Sequence, residues 1–274
     1  MINIAVYSLK GGVGKTITTA TLAHLYATRR SPLIQGAARN SWRRVLVIDC
    51  DPQGNLSQYF KRYSEGKACG LRTGRIIGTD WPKLDILAGN MDLYDWERTL
   101  YERKNTVNIR DIISDIEPGE YDVVFMDCPP AMNMLTINAL CAADYLVIPI
   151  RLDAFSTHGL TELEQQLQDV KTVNPALCLL GVLITHDEPT QLRKDAEDIL
   201  RSRFPVFDTK ISRSRWIVDS TLMQTPLAEM GMNLKPSWQY RKLLKEIIVR
   251  IGQQGGMTYG IDGKHGISTE TARN

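Results

Sequence analysis

Residues 2–16 read Ile2-Asn3-Ile4-Ala5-Val6-Tyr7-Ser8-Leu9-Lys10-Gly11-Gly12-Val13-Gly14-Lys15-Thr16. The apolar run 2–7 predicts a buried strand. A helical pattern over 15–28 starts directly on the last residues of the glycine-rich turn. Glycines let the backbone curl so that successive N–H groups point at one place, and the first turn of the helix adds its dipole there. That geometry suits phosphate oxygens. Lys15 would supply a mobile cation and Thr16 a hydroxyl able to ligate Mg²⁺. The alternative, a plain glycine turn with a surface lysine, does not explain why strand, turn and helix follow in this order.

Working outward, further apolar runs at 45–48, 84–87, 123–126, 145–148 and 179–184 alternate with helical patterns at 91–102, 133–142, 159–173 and 191–203. Strands buried on both faces read as continuous apolar runs. The alternation therefore predicts an α/β fold, a doubly wound and mostly parallel sheet with helices on both faces. The 274 residues and 43% apolar content suffice for one large domain. Two segments break the pattern. Residues 29–44 carry five arginines and no acid, and are expected to be an exposed loop. The glycine-rich stretch 252–274 is expected to be a flexible tail. Five cysteines, an odd number with no Cys-x-x-Cys pair, suit reduced thiols better than disulfides or zinc. Neither a signal peptide nor a membrane-spanning run of about 20 apolar residues is present in the sequence.

Two more strands end in carboxylates. The second runs into Asp49-Cys50-Asp51-Pro52-Gln53-Gly54-Asn55. The one at 123–126 runs into Asp127-Cys128-Pro129-Pro130. Ligands of parallel sheets bind at the carboxyl ends of the strands, so these acids should face the phosphate turn. A helix cap or turn role for Asp51 is compatible with that placement.

Lys10-Gly11-Gly12-Val13-Gly14-Lys15-Thr16, the Asp49–Asn55 segment and Asp127-x-Pro-Pro together resemble the ParA/MinD group of P-loop NTPases, whose Walker A motif carries the extra lysine. The resemblance runs over 1–251 as one ATPase domain, interrupted by the 29–44 insertion. It implies ATP and Mg²⁺ as cofactors. It implies that Lys10, Gly11, Gly12, Val13, Gly14, Lys15, Thr16 and Ile17 surround the phosphates. Lys10 would reach the nucleotide of a partner subunit, and Lys10, Lys15 and Asp51 would carry hydrolysis. Thr16, Asp49 and Asp127 would serve the metal. Thr185, Ile211, Ser212 and Arg213 would lie near the base. Two positions depart from the family's pattern. Ile17 stands where a second threonine is common, which removes a hydroxyl contact to the α-phosphate. Ser212 stands where proline is common.

Charge is near balance overall, at +2, but it is divided. Residues 151–192 sum to −4 and residues 193–250 to +5. Arg203, Lys210, Arg213, Arg215, Arg241, Lys242, Lys245 and Arg250 form a candidate surface for non-specific DNA, which is bound mainly through its phosphates. The resemblance implies a homodimer closed by ATP and a centromere-binding or cargo adaptor protein that stimulates hydrolysis. It further implies a cytoplasmic, nucleoid-associated location and partition of plasmid or chromosomal DNA or of another large cargo. No helix-turn-helix extension precedes the first strand, so operator-specific binding is not expected. A MinD-like membrane role is the alternative, because Leu243, Leu244, Ile247, Ile248 and Ile251 make an apolar stripe. Core packing of that stripe is the preferred reading. An Fe–S role would need cysteines in matched contexts, which Cys128 and Cys141 lack.

Overall fold

The computed structural model describes residues 1–28, 44–64, 69–152, 157–254, 259–260 and 268–269. In chain order the elements are β1 (Ile2–Val6), α1 (Lys15–Thr28), β2 (Val45–Asp49), α2 (Asn55–Tyr59), α3 (Gly70–Thr73), β3 (Ile77–Gly78) and β4 (Leu84–Leu87). There follow α4 (Asp92–Glu102), α5 (Asn108–Ser114), β5 (Val123–Asp127), α6 (Met134–Ala142), β6 (Tyr145–Arg151) and α7 (Thr157–Val173). The last are β7 (Cys178–Thr185), α8 (Gln191–Arg203), α9 (Arg215–Leu222), α10 (Leu227–Met230), α11 (Lys235–Gln254), β8 (Tyr259–Gly260) and β9 (Ser268–Thr269). β1 to β7 form one sheet in the order β3-β4-β2-β5-β1-β6-β7, parallel except for β3 against β4.

Successive side chains of each inner strand enter opposite cores. Leu46 and Ile48 of β2 and Val124 and Met126 of β5 pack under α4, α5 and α6. Val45 and Val47 and Val123 and Phe125 pack under α1, α2 and α11. Two covered faces are why the strands read as unbroken apolar runs. α1 is buried along nearly its whole length, from Ile17 to Ala27. It lies between the sheet and α11, with Thr18 Oγ1 3.1 Å from Tyr240 Oη.

β6 is longer than the pattern predicted and takes in Pro149. The Val147 carbonyl accepts from Tyr7 N, so the imino side of Pro149, two residues on, faces the same edge. β1 pairs with β6 only as far as Val147, so no ladder hydrogen bond is missing there. α2, α3, α5, α9 and α10 and the short β3 had no clear sequence signal, being four to eight residues long or less. α11 runs to Gln254, past the expected domain limit at 251, and β8 pairs antiparallel with β9 inside the stretch expected to be a tail. Of the arginine-rich insertion, 29–43 lies outside the described residues. Arg44 is described, and its guanidinium pairs with Asp85 at 2.8 Å and Glu120 at 3.5 Å.

The apolar stripe of α11 is a core face: Leu243, Leu244 and Ile247 are buried, and Ile248 and Ile251 pack against the same cluster. Among the described residues no helix is long and apolar enough to cross a membrane.

Candidate nucleotide site

Strand register brings the three motifs together. Val6 of β1 is level with Asp127 of β5, and Asp127 is level with Asp49 of β2. The phosphate turn leaves the sheet at that level. Gly12 and Gly14 have φ of 68° and 84°, a region costly for residues with a Cβ. The turn is braced from the far side. Thr185 is 3% exposed, and its Oγ1 lies 2.9 Å from both the Val13 and Ile150 carbonyls, able to donate its one proton to either. Thr185, expected near the base, supports the loop through this hydroxyl, because β7 ends directly behind Val13.

Lys15 is buried, and its ammonium donates to the Ser8 and Lys10 carbonyls at 3.1 and 3.0 Å. An ammonium has three donors, so one remains for a phosphate. Burial lowers the Lys15 pKa, and Asp127, Cys128 and Asp51 oppose that. Ile17 is buried in the core under Gly14 and can offer only its backbone N–H to a ligand.

Asp127 is 1% exposed, and neither carboxylate oxygen has a hydrogen-bond partner of normal geometry among the described residues. Burial raises its pKa well above the usual carboxylate range, and Asp49 adds to this. The Thr16 hydroxyl and the Lys15 ammonium pull the other way. Two orphaned oxygens in a dry site are what a bound cation would satisfy, so the residues present fit Mg²⁺.

Asp49 is differently engaged. Its Oδ2 accepts from Ser57 N at 2.8 Å and Ser57 Oγ at 2.7 Å, and its Oδ1 accepts from Asp51 N at 3.2 Å. Burial raises its pKa to about 7, with the Ser57 bonds opposing. Asp49, expected beside the metal, also shapes the loop through Ser57. That serine, eight residues downstream on α2, was not singled out from sequence. Asp51 is 9% exposed. Its Oδ1 accepts from Gln53 N at 2.9 Å, and no hydrogen bond among the described residues reaches its Oδ2.

Lys10 lies outside this cluster. Its ammonium is 3.3 Å from Glu162 of α7, both side chains being about half exposed. One turn along α7, Gln166 Oε1 accepts from Leu9 N at 3.5 Å. Ile211, Ser212 and Arg213 run beside the end of β7: Ile211 N donates to the Ile184 carbonyl and Arg213 N to the Asp187 carbonyl. Ser212, in the place where proline is common, is tied to α11 through both N and Oγ by Gln239, at 3.1 and 2.9 Å.

The family model for an AAA domain matches residues 1–179. The chromosome partitioning protein ParA of Caulobacter vibrioides is 30% identical over 273 residues, covering 90% of this chain and 94% of that one. The chain belongs to the ParA family of ATPases. The chromosome-partitioning ATPase Soj of Thermus thermophilus is 31% identical over 255 residues, covering 90% and 96%. Among solved structures, cobyrinic acid a,c-diamide synthase of Mycobacterium smegmatis with an ATP analog and magnesium superposes with a TM-score of 0.73. It is 26% identical, with 93% of this chain and 96% of that one covered. This ParA-family chain therefore shares its fold with proteins of more than one activity.

The basic set expected to hold DNA divides in this ParA-family structure. Arg250 is internal: it donates to the Leu180 and Val206 carbonyls at 2.7 Å each, pairs with Glu246 at 2.8 Å and stacks on Phe207. A Cβ at Gly181 would lie 2.5 Å from its Nη1. Lys210 is held by Glu197 at 2.7 Å. Arg250 and Lys210, both expected on that surface, are thus engaged by carboxylates within the fold and remain partly exposed. Arg203 and Arg213 pair with Glu164 and Glu188 at 3.0 and 3.4 Å and stay half to mostly exposed. Arg215, Arg241, Lys242 and Lys245 have no carboxylate partner among the described residues, and Lys242 sits over Trp238, 4.3 Å from its centroid.

Proposed function

We propose that this chain is a nucleotide-switched partition ATPase. It binds ATP with Mg²⁺, pairs with a second copy around the nucleotide, and holds DNA non-specifically. It hydrolyses ATP when a centromere-binding or cargo adaptor protein engages it. The observation that carries the reading is the buried, unbonded carboxylate of Asp127 between Asp49 and the Lys15–Thr16 turn. Thr16 and Asp127 would hold the metal, which supplies charge neutralisation for the transferred phosphoryl group. The N–H groups of 11–17 would cradle the phosphates. Asp51, with Oδ1 fixed by Gln53, would orient the attacking water through Oδ2. The Caulobacter and Thermus relatives, both chromosome-partitioning proteins, support partition as the process.

Lys10 would leave Glu162 to reach the partner's nucleotide, an exchange that costs little because the pair is exposed. DNA would lie on the face of α9 and α11 that presents Arg215, Arg241, Lys242 and Lys245, with Arg203 and Arg213 at its margin. In this reading the protein would work in the cytoplasm, on the nucleoid. Gel retardation of random-sequence duplex DNA with ATP, ADP or no nucleotide, at low and physiological salt, tests the reading. Retention with ATP alone, weakening steeply with salt, is expected. Absence of retention under every nucleotide sinks the DNA step.

A further inference from the structure

Asp51 opens a loop whose conformation is held from outside the phosphate site. Gln53 N donates to Asp51 Oδ1 at 2.9 Å, and Gly54 N to the Asp51 carbonyl at 2.8 Å. Gln53 is itself held twice. Its carbonyl accepts from Gln58 Nε2 at 3.0 Å, and its own Nε2 donates to Tyr94 Oη at 3.0 Å. Tyr94 comes from α4, which is anchored by Leu93, Trp96 and Leu100, all buried at helical spacing. The helix also begins where β4 ends, next to the strand that delivers Asp49 and Asp51. A packed helix is a rigid mount, so the phenol oxygen is a fixed point for Gln53, the exposed residue of an otherwise buried turn at 51–54.

We propose that Tyr94 is a positioning residue for hydrolysis, acting through Gln53 on the Asp51 carboxylate. The proposal rests on the reading of Asp51 as the group that orients water. Misplacing such a group by a fraction of an ångström lowers the rate without changing how the phosphates are bound. Tyr94 is 49% exposed, so water competes for its hydroxyl and the hold is partial. Loss of one such hydrogen bond corresponds to a fall in kcat of about three- to tenfold. Affinity for ATP stays the same, because Lys15, Thr16 and the turn are untouched.

The experiment is a set of full-length variants, Tyr94→Phe, Gln53→Ala, the double variant and Asp51→Ala. ATP turnover and ATP affinity are measured for each. Tyr94→Phe is expected to lower kcat about three- to tenfold with KM unchanged, and the double variant to be no slower than Gln53→Ala alone. A merely structural tyrosine would instead move the melting temperature and leave kcat in place. Unchanged kcat in Tyr94→Phe beside a strong loss in Asp51→Ala overturns the proposal, as do multiplicative losses in the double variant. If Asp51→Ala itself turns over normally, the reading of Asp51 has failed, and the proposal falls with it.

Discussion

In the proposed reading Lys15, Thr16, Asp51 and Asp127 carry the chemistry at the sheet's carboxyl edge, and their environments set them apart. Lys15 is buried among carbonyls and loses its role if shortened. Lys15→Ala is expected to abolish ATP binding, checked by equilibrium binding of a fluorescent ATP analogue; normal affinity would remove the turn from the phosphate site. Asp51→Ala is expected to slow hydrolysis at least tenfold while an ATP-dependent dimer persists in sedimentation. His24, in the middle of α1, makes a separate prediction. Its ring is 1% exposed, edge-on to Trp81, with Nε2 3.1 Å from the half-exposed Glu229 carboxylate. Burial outweighs that screened carboxylate and lowers the pKa to about 4. The unfolded chain therefore binds a proton near pH 6.5 that the folded chain refuses. Stability from this group is present above pH 6.5 and is lost as pH falls toward 4. Asp49, raised to about 7, works in the opposite sense over the same window. The measurement is thus a difference: His24→Leu should flatten the acid-side fall of the melting temperature relative to the parent.

At the scale of elements, α11 shows one helix doing two jobs on two faces. Its inner face closes the core, and Arg250 near its end ties the loop after α8 to β7. Arg250→Ala takes the guanidinium donors from the Leu180 and Val206 carbonyls and is expected to cost about 1–3 kcal/mol of stability by urea unfolding. Lys242→Glu and Lys245→Glu, on the outer face, should change stability by less than about 0.5 kcal/mol. They should nonetheless weaken DNA retention and reduce its salt dependence. The reverse pattern would move DNA to another surface. Both kinds of residue look alike in sequence, since α11 alternates basic and apolar residues throughout.

For the whole molecule, alternation of apolar runs and helical periodicity was enough to determine a doubly wound sheet, because strands covered on both faces need continuous apolar sequence. The phosphate turn was equally legible: Gly12 and Gly14 at positive φ and Lys15 at the start of a helix are local requirements, met by consecutive residues. Asp51 and Asp127 were legible because a strand's end is a local property too. What the sequence left open depends on contacts between distant residues. Asp49 and Asp127 stand side by side in register, yet Ser57 engages one and leaves the other bare. Thr185 braces the turn because β7 ends behind Val13, 172 residues earlier in the chain. Lys210 is engaged by Glu197 and Arg250 by the Leu180 and Val206 carbonyls, partners that only the folded chain brings within 3 Å. Local conformation follows from the chemistry of neighbouring residues. Which polar group is left unpartnered, and so free to act, follows from three-dimensional packing.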